Sequence, residues 1–127
     1  IDPNKIQLVA NNFIDNALKY TLSGEIKISL TYKDLQVLFS VEDTGIGIPQ
    51  FEQEKIFSKF FRASNTIKSD TAGTGLGLYI TKSIIKKHGG EIWFQSKEGQ
   101  GSIFSFSLPV EKRFAPKEKY LEFLENI

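Results

Sequence analysis

Residues 3–20 constrain the fold more than any other stretch of this chain. Ile6, Val9, Ala10, Phe13 and Ala17 recur at three and four positions, the spacing that lines one face of an α-helix. Asp2 stands where an N-cap belongs, and Pro3 follows at the first helical position, where its missing N–H costs nothing. The segment therefore predicts an amphipathic helix from Pro3 to Tyr20. It also carries a second stripe. Residues four apart are surface neighbours on a helix, so Asn12 stacks on Asn16, and Lys19 and Tyr20 extend that line one turn on. This stripe borders the buried face, and polar groups at such a border need partners. Solvent is the plainer partner. A metal ion, phosphates and an aromatic base would serve as well.

Strands follow. Ile26, Ile28, Leu30 and Tyr32 alternate with polar residues, the pattern of a half-buried strand. Lys33-Asp34 reads as a hairpin link, and Leu35, Val37, Phe39 and Val41 as the inward face of the next strand. Asp43 shares that inward parity, and a carboxylate at the core end of a strand needs a donor. Asp43 to Pro49 breaks the strand, and a short helix is predicted from Phe51 to Phe60. Arg62 to Thr74 is polar and aperiodic, which reads as a mobile lid. A helix is expected from Gly75 to Lys87, with Leu76, Ile80 and Ile84 on one face and a glycine cap at His88-Gly89-Gly90. Glu91 to Ser96 and Gly101 to Pro109 read as strands, with Phe104, Phe106 and Leu108 inward. Lys117 to Asn126 reads as a short terminal helix. The order predicts a two-layer α/β (α+β) sandwich: a mixed sheet covered on one face by about three helices. Residues 1–110 form the domain and 111–127 a tail.

The 127 residues suffice for one hydrophobic core. A net charge of +1, with Lys and Arg scattered, offers nothing for nucleic acid. No stretch approaches the roughly 20 apolar residues of a membrane span. The chain has no cysteine, hence no disulfide framework and no thiolate metal site, which fits a reducing compartment. It also has no methionine and begins at Ile1, so it reads as a piece of a longer protein.

Gly73-Thr74-Gly75-Leu76-Gly77-Leu78 directly precedes the predicted helix. Free N–H groups and the positive dipole end make a helix start an anion site, and glycines let a phosphate approach the backbone; a plain glycine-rich turn is the alternative. The dinucleotide fingerprint would need Gly at position 78, where Leu78 stands, and no G-x-x-x-x-G-K-[ST] loop occurs. Asp43 with Gly45 and Gly47 offers an inward acceptor beside open backbone, which an adenine amino group would satisfy. The Asp-Thr-Gly of an aspartic protease is a competing reading. It needs a second such Asp from a repeat or a homodimer, and leaves Asn12, Asn16 and the Gly73 to Leu78 loop unexplained. His88, the single histidine, lies about 13 residues from Gly75, roughly 20 Å along a helix, and reads as a structural helix-end residue. Mg²⁺ remains open, since it takes one or two protein oxygens with phosphates and waters.

Together these segments resemble the catalytic ATP-binding domain of sensor histidine kinases, in the wider GHKL ATPase superfamily (Bergerat fold). The resemblance spans Asp2 to Val110. Asn12 to Thr21 resembles the N box, Asp43 to Pro49 the first glycine box and Ile56 to Arg62 the F box. Gly73 to Leu78 resembles the second glycine box and Gly101-Ser102-Ile103-Phe104 the third. The Asn-x₃-Asn-Ala-x-Lys-Tyr, Phe-Phe-Arg and His-Gly-Gly forms are similar to the kinases and unlike the topoisomerase, chaperone and mismatch-repair branches. Ser58 and Phe61 depart mildly from the F-box pattern, where an acidic residue and Tyr are common.

The resemblance implies ATP and Mg²⁺ as ligands, with Asn16 on the metal and Asn12 assisting. It implies Lys19 on phosphates, Tyr20 packed on adenine, Asp43 accepting from the adenine amino group and Ile48 lining the base pocket. Phe60 and Phe61 would anchor the lid, and Arg62 would reach the γ-phosphate, making Asn12, Asn16, Lys19 and Arg62 the catalytic set. The Gly75 to Gly77 backbone would hold phosphates, with further nucleotide contacts at Gly45, Gly47, Gly73, Thr74, Leu76 and Ser102. The expected reaction is transfer of the γ-phosphoryl to a histidine on a separate upstream dimerisation domain, then relay to an aspartate on a response regulator receiver domain. Alone, the fragment would bind ATP as a monomer without autophosphorylating, in the cytoplasmic part of a homodimeric parent, membrane-anchored or not. Two other classes fit less of the pattern: a nucleotide-sensing module without transfer, and a serine kinase of the anti-sigma type.

Overall fold

The computed structural model describes residues 2–58 and 77–111. The first helix, α1 (Pro3–Tyr20), begins as expected, with the Asp2 carboxylate accepting from the N–H groups of Asn4 and Lys5. Val9, Phe13 and Ala17 are its buried face. Strands β1 (Ile26–Lys33) and β2 (Gln36–Asp43) form a hairpin, a 3-10 helix covers Gln50–Lys55, and α2 (Gly77–Lys87) leads to β3 (Glu91–Lys97) and β4 (Gly101–Pro109). The expected terminal helix and the lid lie outside the described residues.

The sheet runs β1-β2-β4-β3. Among the described residues all three pairings are antiparallel, where a mixed sheet was expected. Two of them are hairpins, which are antiparallel by construction, and β4 enters between β2 and β3 running against both. α1 packs across β2, and α2 over β3 and β4, giving the two-layer α+β architecture. Register sorts the helix-covered face into rows. Val41, Phe104 and Phe94 stand opposite one another across β2, β4 and β3, as do Phe39, Phe106 and Ile92. Phe13 of α1 sits over both rows, its ring 5.6 Å from Phe104 and 5.9 Å from Phe106. Buried aromatic rings at such spacing contribute beyond their area. The next row along the same face is polar: Asp43, Ser102 and Ser96.

Several local expectations shift. The hairpin link is Asp34-Leu35, not Lys33-Asp34, and both residues take positive φ (53° and 61°). Leu35 is thus a turn residue and not part of the inward face. Ile28 and Leu30 of edge strand β1 are 50 % and 69 % exposed, not half-buried, because the helices lie over the other strands. Only Gln50–Lys55 of the predicted Phe51 to Phe60 helix is helical among the described residues, and it is a 3-10 turn that leaves Phe51 exposed. In α2 the buried face is Thr81, Ile84 and Ile85, while Ile80 is 41 % exposed. Thr81 is buried at little cost because its hydroxyl donates to the Leu78 carbonyl at 2.8 Å.

Candidate functional site

The polar row at the end of the sheet forms the floor of the site. Asp43 is 8 % exposed. Its Oδ1 accepts from the Gly45 N–H at 2.9 Å. Burial pushes the Asp43 carboxyl above the usual carboxylate range, against the opposing pull of the Gly45 and Ser102 backbone N–H groups. A carboxylate held in this way is a strong acceptor for any donor that reaches it.

Beyond Asp43 the chain leaves the ladder, so its backbone groups need other partners. Thr44 N–H donates to the Glu25 carbonyl and Ile46 N–H to the Tyr20 carbonyl. The Ile46 carbonyl accepts from Gly99 N–H at 2.7 Å. Ile48 N–H donates to Ser96 Oγ at 2.8 Å, and the Ile48 carbonyl accepts from Gln53 Nε2 at 3.0 Å. The glycines of this loop serve close approach. A Cβ at Gly45 would overlap the Tyr20 carbonyl oxygen, and one at Gly47, where φ is +67°, would overlap that of Lys97. The open backbone expected beside Asp43 is therefore packed against other backbone. Beside Gly45, Thr21 Oγ1 is buried with no partner among the described residues.

The α1 stripe lies at the border of the buried face. Asn12 and Asn16 are half-buried, and Asn16 Nδ2 donates to Asn12 Oδ1 at 3.3 Å. With its nitrogen donated to Asn12, Asn16 has its amide oxygen left to offer a further partner, and oxygen is the atom Mg²⁺ takes. Asn12 also touches the start of α2, where a Cβ at Gly77 would stand 2.5 Å from the Asn12 amide nitrogen. Gly77 is thus the residue that lets the two helices meet at the site. Lys19 is exposed at the last turn of α1, and Tyr20 is half-buried there. No group of three or more His, Asp or Glu among the described residues could hold a metal. The donor set therefore fits an ion that brings most of its ligands on phosphates and water, and it does not fit an all-protein cage.

The structure brings the predicted residues together in two groups: Asn12, Asn16 and Gly77 where α1 meets α2, and Tyr20, Asp43, Gly45, Gly47, Ile48 and Ser102 around the loop at the end of the sheet. Phe61, Arg62, Gly73, Thr74, Gly75 and Leu76 lie outside the described residues. Two residues that the sequence reading missed hold the loop in place. Ser96 bonds Ile48 N–H and lies 2.8 Å from Ser102 Oγ. Gln53 donates to both the Ile48 and the Ser96 carbonyls. Ser96 shares the inward parity of Ile92 and Phe94, a signal the sequence did carry. Gln53 left none.

The chain is similar to several known proteins. A family model described as "Histidine kinase-, DNA gyrase B-, and HSP90-like ATPase" matches residues 1–112. The sensor histidine kinase WalK of Bacillus subtilis is 41 % identical over 115 residues, covering 88 % of this chain and 19 % of that protein. The adaptive-response sensory kinase SasA of Synechococcus sp. (strain JA-3-3Ab) is 44 % identical over 112 residues, covering 87 % of this chain and 29 % of that protein. The chain thus spans less than a third of the length of these relatives. Among solved structures, the catalytic domain of histidine kinase ThkA superposes with a TM-score of 0.70 at 40 % identity, covering 85 % of this chain and 68 % of that one. Full-length ShkA in complex with AMPPNP superposes with a TM-score of 0.71 at 32 % identity, over 83 % of this chain and 21 % of that one.

Proposed function

The chain belongs to the histidine kinase-, DNA gyrase B- and HSP90-like ATPase family, and from that premise we propose that it binds Mg·ATP and presents the γ-phosphoryl group to a histidine in two-component signalling. The observation that carries the reading is Asp43: a buried carboxylate with one oxygen spent on Gly45 N–H, at the end of a row that is otherwise neutral. Its chemistry fits the exocyclic amino group of adenine and rejects the O6 acceptor of guanine. Ile48 and Tyr20 would enclose the base. The nucleotide complex of the related ShkA supports the same ligand class.

In this reading Asn16, assisted by Asn12, would hold Mg²⁺, which supplies neutralisation of phosphate charge. Lys19 would add a positive charge on the same side, and Gly77 backbone at the start of α2 a dipole end. The residues Arg62 and Gly73 to Leu76 would complete the phosphate side, by the family resemblance. Transfer breaks the bond between the γ-phosphorus and its bridging oxygen, forms a phosphorus–nitrogen bond to the accepting imidazole and releases ADP. Positioning and charge stabilisation account for most of such a transfer.

The acceptor is a histidine on a dimerisation domain of the same protein, with a response regulator receiver domain next in the relay. Residues 1–110 act as the nucleotide-binding unit. Among the described residues no helix is long and apolar enough to cross a membrane. The test is to incubate the chain and a helical histidine domain of a related kinase with γ-labelled ATP. The expected product is acid-labile, base-stable phosphate on the acceptor. Nucleotide binding without any transfer would reduce the reading to a sensing module, and acid-stable phosphate on serine would replace it.

A further inference from the structure

The loop that follows Asp43, residues 44–49, walls the proposed base pocket, yet it has no ladder of its own. Its ties run mostly through backbone: to Glu25, to Tyr20 and to Gly99. Ile48, the residue that would wall the base, is held differently. Its N–H goes to the hydroxyl of Ser96 at 2.8 Å, and its carbonyl to the carboxamide of Gln53 at 3.0 Å. The same Gln53 nitrogen donates to the Ser96 carbonyl at 2.9 Å. A primary amide has two N–H donors, and here both are used on main-chain oxygens of two different elements. Gln53 therefore pins the Ile48 peptide to β3 at the strand position that also carries Ser96. Through Ser96 the link continues to Ser102, which stands directly opposite Asp43.

We propose that Gln53 is a positioning residue for base recognition: by bridging the Ile48 and Ser96 carbonyls it fixes the Ile48 wall relative to the Asp43 carboxylate, and so sets affinity for the base without touching it. This rests on the adenine reading above. Gln53 is on the 3-10 turn that follows the loop, and both of its bonds among the described residues are to protein carbonyls. Its influence is confined to the base end, because among the described residues its bonds run to Ile48 and Ser96 and none runs to Asn12, Asn16 or Gly77.

Three measurements on purified chain test this: ADP affinity, the ATP-to-GTP affinity ratio, and competition by inorganic triphosphate with Mg²⁺. Two substitutions differ in donor chemistry at similar length. Gln53→Met removes the donors, and Gln53→Glu faces two carbonyls with an acceptor. The expected result is a rise in the ADP dissociation constant of about ten-fold for Gln53→Met, the scale of a lost hydrogen bond, with a larger rise for Gln53→Glu. The ATP-to-GTP ratio falls in both, and triphosphate competition stays at the wild-type value. Ser96→Ala, which removes the partner of Ile48 N–H, shifts ADP affinity in the same direction. If folded Gln53→Met and Gln53→Glu bind ADP as the wild type does, or lose ADP and triphosphate in equal measure, the positioning role is wrong while the adenine reading stands. A wild-type chain that binds no adenine nucleotide overturns both.

Discussion

The backbone N–H of Asp2 donates to Nε2 of His88 at 3.1 Å, across a sequence separation of 86 residues. Asp2 caps the start of α1, and His88 closes the end of α2, its Nδ1 lying 2.7 Å from the Ile84 carbonyl. A backbone N–H is only a donor, so Nε2 must accept, and the ring proton must sit on Nδ1 and go to Ile84. The pair fastens the two site-bearing helices at the end opposite Asn12 and Gly77.

Because His88 is the single histidine, the tautomer is directly measurable. Long-range nitrogen–proton correlation at pH 8 should show the Nδ1–H form. His88→Ala should cost about 1–2 kcal/mol in denaturant unfolding, the scale of a lost hydrogen bond with a buried group left unpaired. An Nε2–H ring, or an unchanged midpoint, would contradict the assignment.

The hairpin turn stores strain that substitution can release. Leu35 sits at φ 61°, a region costly for a side chain with a Cβ. Leu35→Gly should raise stability by roughly 0.5–1 kcal/mol, the usual scale for relieving left-handed backbone less the entropy glycine adds. The Val110 N–H bond to the Leu35 carbonyl is unaffected, since it uses backbone alone. Thermal and urea midpoints report the change, and a drop would mean that the Leu35 side chain contributes more by packing than its backbone costs.

Gly77→Ala should move stability and binding in opposite directions. Alanine favours a helix over glycine by about 0.8–1.0 kcal/mol, so unfolding should shift little or upward. The added methyl stands 2.5 Å from the Asn12 amide and must displace it, breaking its bond from Asn16. ATP affinity with Mg²⁺ should fall at least several-fold. Unaltered affinity would place Asn12 outside the site.

Asp43 links pH to both stability and binding. Its folded pKa lies above the ordinary value for an aspartate, chiefly through burial. The folded state thus holds the proton more tightly than the unfolded chain. The group's contribution to stability is present below the unfolded pKa and lost as pH rises through the folded one. Asp43→Asn, which is neutral throughout, should therefore gain stability relative to wild type from the acidic range to neutrality. Nucleotide affinity has the opposite sign, since the ionised form accepts from the adenine amino group. Wild-type ATP affinity should fall on acidification before an ordinary carboxylate would protonate, and Asp43→Asn should be weaker by about 1–3 kcal/mol and insensitive to pH in that window. Titration calorimetry across the acidic range decides this; parallel pH profiles for the two forms would remove Asp43 from the base pocket.

The helix–strand order and the inward set of residues were readable because both periodicities are strong: three-and-four spacing in Val9, Phe13 and Ala17, and alternation through Val37, Phe39 and Val41. Parity alone placed Asp43 on the covered face, and it would have placed Ser96 there too. The sheet's directions were not readable, since parity tells which face a residue takes and says nothing of which strand lies beside it. Leu35 was misassigned because alternation continues through it, and only the turn geometry removes it from the strand. Gln53 was invisible for a different reason. Its two partners are main-chain carbonyls, which exist at every position and leave no mark on the sequence around them.

The measurement that tests the account most directly is calorimetric titration of ATP into the chain, with Mg²⁺ and with chelator, for wild type and Asn16→Ala. Mg²⁺ should strengthen binding to the wild type, and folded Asn16→Ala should lose this increment while its affinity in chelator is little changed. An equal Mg²⁺ increment in both proteins, or a wild type that binds no ATP under either condition, would contradict it.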